Sequence, residues 1–179
     1  MIVLVGASAS GKTELAKLLF HEFNYKKCIT STTRSPRINE VNDVDYHFLT
    51  LNEFLDIKTH GGFLEVSKYH HNYYGFQKND VMYKGVVVLD PNGANAVVDA
   101  KIKDTFIVFV KSDEYIRKMR MIDRGDDINT IESRLIGDQE VFQLTHMKHI
   151  DLIIENNQDN LLQLAKTIHL AYMAKMHQK

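Results

Sequence analysis

The sequence predicts an α/β fold with a parallel sheet at its centre, and three observations predict it. Short apolar runs, rich in β-branched residues, recur at residues 2–5, 86–89, 106–110 and 152–154. A segment with helical spacing follows each of them. Residues 31–83 break that rhythm, being polar and aromatic with short elements. Strands alternating with helices imply a parallel sheet covered on both faces, three layers in all. The section 31–83 then reads as an inserted lobe.

Each element has its own signal. Ile2–Val5 is a short buried strand that Gly6 ends. From Lys12 the period changes, and Leu15, Leu18, Leu19 and Phe23 fall on one helical face. Residues 27–30 read as a second strand. Thr50-x-x-Glu53 is a capping box, and it opens a short helix with Leu51, Phe54 and Leu55 turned inward. Gly61-Gly62 is a turn, and the aromatic stretch 63–74 is partly strand. The run 86–89 ends at Asp90 and has the pattern of a buried parallel strand. Residues 94–101 form a helix, and 106–110 form another strand. Ser112, Asp113 and Glu114 start the next helix, which carries a basic stretch to Arg124. The break Gly125-Asp126-Asp127 separates it from a helix over 129–146. Residues 152–154 are the last strand, and Leu161, Leu164, Ala165, Ile168 and Tyr172 mark a final helix.

Composition bounds the function. A chain of 179 residues with 44% hydrophobic and 25% charged residues is one globular unit with room for a real core. Nine glycines and two prolines exclude collagen-like and low-complexity chains. Lys and Arg total 22 against 23 Asp and Glu, so no global basic field exists to hold a nucleic acid. The one cysteine, Cys28, excludes an intrachain disulfide and a four-cysteine zinc site, and its strand position reads as buried and inert. His70-His71 and His146-x-x-His149 lack companion ligands at zinc spacing, and Met119, Met121, Met147 and Met173 read as core filler. The opening apolar run is too short for a signal peptide, and no later run approaches a membrane span. The expectation is a cytoplasmic protein without a membrane partner.

The sharpest motif is Gly6-Ala7-Ser8-Ala9-Ser10-Gly11-Lys12-Thr13, which fits G-x-x-x-x-G-K-[ST]. Triphosphate oxygens need several donors at once, so the backbone must wrap with its N–H groups inward. Gly6 and Gly11 permit that path. Lys12 supplies charge for the β- and γ-phosphates, Thr13 offers a hydroxyl to Mg²⁺, and the helix N-terminus adds its dipole. Four such fixed positions arise by chance in about one chain in a hundred. Here the motif also lies between a strand and a helix, the context it requires. It predicts a three-layer P-loop NTPase. Further on, Arg34 and Arg37, stiffened by Pro36, present two forks suited to a dianionic phosphate, with Tyr46 as a neutral donor.

Taken together, these motifs resemble those of guanylate kinases. The resemblance rests on the phosphate loop, T-T-R-x-P-R-x-x-E at 32–40, D-Y-x-F at 45–48, F-L-E at 63–65 and N-Y-Y-G at 72–75. It continues through Asp90-Pro91-Asn92-Gly93, the pair Arg120 and Arg124, and Arg134-Leu135, in family order and over nearly the whole chain. It implies an ATP- and Mg²⁺-dependent kinase that phosphorylates GMP or dGMP, with nucleotides as its only partners. It also implies a core (1–31, 84–119 and 135–179), a nucleoside-monophosphate lobe (32–83) and a lid (120–134). By the same resemblance Arg34, Arg37, Tyr46 and Tyr74 hold the acceptor phosphate, Glu65 reads guanine and Thr30 lies near the base. Arg120, Arg124 and Arg134 stabilise the transferring charge, and Asn156 lies near the donor adenine. Asp90 has two candidate roles, on Mg²⁺ through water or beside the acceptor nucleotide.

The chain departs from the family pattern in three places. Phe76 follows N-Y-Y-G where a small hydroxyl residue usually touches the base, and weaker or altered base selectivity with phosphate handling intact is the expectation. Val88 replaces the first of two acids, leaving Asp90. The stretch between Arg124 and Arg134 is about one residue short. Two other readings stay open: a P-loop kinase with a different phosphorylated acceptor, such as a ribose bisphosphate, and a guanylate-kinase-like binding module. Monomer and homodimer are both compatible with the sequence.

Overall fold

The computed structural model describes residues 1–69, 71–158 and 160–177. His70, one of the histidines above, lies outside them. Two sheets organise these residues. The larger contains β1 (Ile2–Val5), β2 (Lys26–Lys27), β7 (Gly85–Val88), β8 (Phe106–Lys111) and β9 (Leu152–Glu155), all parallel, in the order β2-β7-β1-β8-β9. The smaller contains β3 (Thr30–Thr32), β4 (Tyr46–Phe48), β5 (Phe63–Tyr69) and β6 (Asn72–Gln77), in the order β4-β3-β6-β5. There β5 and β6 form an antiparallel hairpin, and β3 runs parallel to β4.

The alternation within β1 explains the layering. Ile2 and Leu4 point to one face and pack with α1 (Lys12–Phe23) and α6 (Leu161–His177) through Leu15, Leu19, Ile168 and Tyr172. Val3 and Val5 point to the other, against α3 (Pro91–Asp99) through Ala94 and Val97. With both faces covered, every residue of β1 is buried, so its sequence reads as a continuous apolar run. α4 (Glu114–Asp123) and α5 (Ile128–Val141) make a corner whose small core is Met121, Ile131 and Leu135. No helix of the described residues is long and apolar enough to cross a membrane.

Several expectations shift. The single strand at 27–30 is two strands in different sheets. Lys26–Lys27 pairs with β7, and Thr30–Thr32 pairs with β4 and β6. Buried Cys28 lies in the step between them, and burial pushes its thiol up. The helix expected at 94–101 begins at Pro91, because Asp90 caps it by accepting the Gly93 N–H at 2.8 Å. The helix expected to reach 146 ends at Val141, and one 3₁₀ turn follows at Leu144–His146. Met119 is exposed, whereas Met121 is core.

The capping box forms as read. Thr50 Oγ1 accepts the Glu53 N–H at 3.3 Å, and the Glu53 carboxylate accepts the Thr50 N–H at 2.8 Å. In α2 (Leu51–Thr59), however, only Phe54 is buried, stacked on Phe63 and Tyr73. Leu51 and Leu55 are 50% and 38% exposed, because α2 covers the edge of the small sheet with a single narrow face. Such a marginal helix depends on its cap. Thr50→Ala is expected to cost about 1 kcal/mol, read as a lower denaturant midpoint with unchanged slope. An unmoved midpoint would sink this expectation.

Candidate active site

The loop of residues 6–13 leaves β1 at the centre of the parallel sheet, at the carboxyl ends of its strands, where such sheets bind ligands. Its glycines are forced. Gly6 lies against the Val110 carbonyl and Gly11 (φ 96°) against the Asn156 side chain, and neither site has room for a Cβ. Ala9 has φ 58°, a left-handed conformation rare outside glycine, so its surroundings must hold it there.

Those surroundings are side chains that take the loop's outward carbonyls one after another. Lys12 Nζ donates to the Ala7 carbonyl at 2.7 Å, and Arg117 Nη1 reaches that of Ser8 at 3.4 Å. Arg120 Nη1 reaches the Ala9 carbonyl at 3.4 Å, and Asn156 Nδ2 donates to that of Ser10 at 2.8 Å. Each of these four carbonyls has a donor, and the Ser8 and Ser10 N–H groups are taken too, by Asp138 and by the Ala7 carbonyl. Burial pulls the Lys12 ammonium down to about 8, Asp138 opposing and Arg117 and Arg124 adding to the fall.

The other expected residues fall into two groups. Arg34, Tyr46 and Tyr74 come together on the small sheet. The Arg34 guanidinium lies 5.6 Å from the Tyr46 ring centroid, and the two tyrosine rings are 6.5 Å apart. Glu40 pairs with Arg34 at 2.9 Å and accepts the Arg37 backbone N–H at 2.7 Å. Arg124 and Arg134 both pair with Asp126, the latter at 2.8 Å. Arg124, against burial and with Arg134 and Arg37 adding, holds the Asp126 carboxyl below its usual range. Arg37 of the polar section thus acts on the same carboxylate as the two arginines of the α4–α5 corner. Arg120 belongs instead to the loop. It also donates to Ser112 Oγ at 3.2 Å, and its Nη2 lies 3.4 Å from Asn156 Oδ1. Asn156 is buried and serves as a brace for the loop.

Glu65 stands apart. Its Oε2 is buried and has no hydrogen-bond partner among the described residues. Gly93, in the first turn of α3, lets the helix approach, since a Cβ there would lie 3.1 Å from the Glu65 carboxyl. Burial, with Asp90 adding, pushes Glu65 up to about 8. Thr30 opens β3, in register with Tyr46 of β4. Phe76 pairs with Glu65 across the hairpin and shares its face, and its ring is fully buried in the cluster with Val87, Leu89 and Ala94. Phe76 is therefore part of the core, opposite Glu65 in the hairpin. Phe76→Ser is expected to cost about 3–5 kcal/mol by leaving a cavity. A urea midpoint equal to that of the parent protein would contradict that placement.

Two participants carried no motif, Arg117 and Asp138. Asp138 Oδ2 accepts the Ser8 N–H at 2.7 Å and a bond from Arg117 Nη1 at 3.0 Å. One signal was available. Asp138 continues the buried stripe of Ile131 and Leu135 on α5, where an acid needs a partner.

Against this geometry, comparison with known proteins is decisive. A family model described as guanylate kinase matches residues 1–170. The chain belongs to the guanylate kinase family. It is 31% identical to the guanylate kinase of Ehrlichia ruminantium over 190 aligned positions, covering 100% of this chain and 90% of that one. It is 32% identical to the guanylate kinase of Wolinella succinogenes, covering 87% and 76%. The fold is similar to the crystal structure of guanylate kinase from Anaplasma phagocytophilum, with TM-score 0.70, 24% identity and coverage of 97% and 85%. It is also similar to a shikimate kinase from Acinetobacter baumannii, with TM-score 0.56, 12% identity and coverage of 97% and 93%. These likenesses fit the three-layer P-loop architecture described above.

Proposed function

We propose that this guanylate kinase family member transfers the γ-phosphoryl group of ATP to GMP or dGMP, giving ADP and GDP or dGDP. The observation that carries the acceptor is the unpartnered buried oxygen of Glu65. Guanine offers N1–H and N2–H₂ side by side, two donors that one carboxylate accepts together. Adenine offers an acceptor at N1, which would leave that oxygen unsatisfied.

The acceptor phosphate is already ionised, so no protein base is needed, and catalysis is positioning and charge stabilisation. An acceptor oxygen bonds to the γ-phosphorus as the bond to the ADP oxygen breaks. Arg34, Arg37, Tyr46 and Tyr74 are assigned to hold the acceptor phosphate. The loop N–H groups and Lys12 are assigned to hold the donor, with Arg124 and Arg134 meeting the equatorial oxygens. In this reading Glu40 and Asp126 occupy those arginines until phosphates replace them. Arg120 and Asn156 keep the loop in shape. The division into core, acceptor lobe (32–83) and lid (120–134) follows from the same assignment.

Mg²⁺ fits the loop. Thr13 is exposed in the first turn of α1, beside the charged Lys12. Among the described residues no group of three or more His, Cys, Asp or Glu side chains is placed to hold a metal. Thr13 would hold the ion together with the phosphates themselves, and Asp90 keeps both its candidate roles, on the ion through water or beside the acceptor nucleotide. When bound, Mg²⁺ neutralises developing charge on the transferred group.

The deciding experiment measures ADP release from ATP·Mg²⁺ with GMP, dGMP, AMP, UMP, CMP and ribose bisphosphates. GMP and dGMP are expected to exceed AMP by about a thousandfold or more in kcat/KM. Equal use of AMP, or turnover confined to a ribose bisphosphate, would overturn the acceptor assignment. Failure to bind ATP would favour a binding module.

A further inference from the structure

We propose that the buried Arg117–Asp138 pair is a positioning element of the donor site, setting ATP affinity by fixing the Ser8 peptide without touching the nucleotide. The inference rests on the phosphate loop being the ATP site.

Three observations carry it. First, the pair is the most buried ion pair among the described residues, with side chains 7% and 2% exposed. Removing two charges from water is costly, and a well-packed apolar pair usually serves stability as well or better. The surroundings would accept one. Asp138 lies on the stripe of Ile131 and Leu135, and Arg117 lies beside Met121, the residues whose small core packs on Ala9.

Second, the surplus bonds of the pair enter the loop. Asp138 Oδ2 takes the Ser8 N–H at 2.7 Å, and Arg117 Nη1 reaches the Ser8 carbonyl at 3.4 Å. Both backbone groups of one loop residue are thereby held. Third, the next residue is Ala9 at φ 58°, a conformation an L-residue keeps only when its neighbours over-determine it. Asp138 and Arg117 hold the peptide before it, and Arg120 holds its own carbonyl. Released from that grip, the 8–9 segment relaxes toward an ordinary backbone, and the ring of donors loses its shape.

The pair also joins two helices. Arg117 is on α4 and Asp138 on α5, on either side of the turn that carries Arg124 and Asp126. The base of that corner and the donor loop are therefore tied together by one ion pair and its bonds to Ser8.

The test compares the parent enzyme with two double variants. Arg117→Met/Asp138→Leu removes both charges and keeps the site apolar. Arg117→Met/Asp138→Asn also removes both charges but keeps an acceptor for the Ser8 N–H. The first is expected to melt at or above the parent's temperature, with KM for ATP raised about tenfold and KM for GMP within about twofold. The asparagine variant is expected to recover most of that loss, a rescue that a packing role would not produce. A parental KM for ATP in the leucine variant would overturn the inference, as would an asparagine variant no better than it. A third measurement needs no variant: in the free parent protein the Ser8 amide should resist hydrogen exchange as a core strand amide does. Exchange at the rate of an open loop would overturn the inference too. Turnover of ATP with GMP by the parent checks the functional reading separately, and calorimetric ATP binding reads the loop even without turnover.

Discussion

Lys12→Ala is expected to lower kcat for GMP phosphorylation by at least about two orders of magnitude, near 3 kcal/mol of transition-state stabilisation. The size follows from where the ammonium lies. It is partly buried, donates to the Ala7 carbonyl at 2.7 Å, and sits 5.9 Å from the Phe142 ring centroid. Water hydrates it poorly, and burial pulls it down to about 8. A charge so poorly solvated loses little on meeting phosphate oxygens and acts on them through a low local dielectric. The fold should tolerate the change, because the Ser10 N–H still donates to the Ala7 carbonyl at 3.2 Å. Steady-state ADP release decides the matter, and parental turnover in the variant would refute the assigned role.

Glu65→Gln is expected to do two opposite things. For GMP, kcat/KM falls by about a thousandfold, because the amide sets a donor against one of the two donors, N1–H and N2–H₂, that the carboxylate accepted together. ATP binding measured alone should not change. Stability moves the other way. Burial and Asp90 raise the folded-state carboxyl to about 8, far above its unfolded value. The folded protein therefore holds a proton that the unfolded chain gives up. Stability drains away as pH rises from the ordinary carboxylate range through about 8. Glutamine does not titrate. The variant should match the parent near the acid end of that window and melt progressively higher above it. Melting curves of equal pH dependence would contradict the burial of that carboxyl. In the parent, GMP binding at neutral pH should release a proton, seen as a heat that varies with the buffer. Such a gain in stability on loss of function would mark the buried acid as one kept for recognition.

The elements that were legible share one property: their signals are local. The phosphate loop is contiguous and legible as a motif, although what shuts out a Cβ at Gly6 and Gly11 is Val110 and Asn156, both distant in sequence. The capping box of Thr50 and Glu53 closes within three residues and forms as read. The buried run of β1 announces a strand covered on both faces. Where the reading slipped, a distant partner decided. Leu51 and Leu55 have helical spacing, but the one narrow face that α2 buries leaves both exposed. Residues 27–30 look like one strand, yet the two ends of that stretch pair in different sheets. Asp90 reads as a strand-end acid, while its capping of α3 depends on where Pro91 and Gly93 turn.

By itself the sequence determined a strand–loop–helix with the pattern of a phosphate cradle, because glycine spacing, a lysine and a hydroxyl suffice to specify that pattern. The order of its further motifs pointed to the family. Only the tertiary structure decided what holds the cradle in shape. Arg117, Arg120, Asp138 and Asn156 lie more than a hundred residues from the loop atoms they bind, on two helices and a strand end. Nothing in local spacing specifies such pairings. They exist because the parallel crossovers bring the carboxyl ends of β1, β8 and β9 together, and the polar backbone groups of a tight loop there must be satisfied by what packs around it.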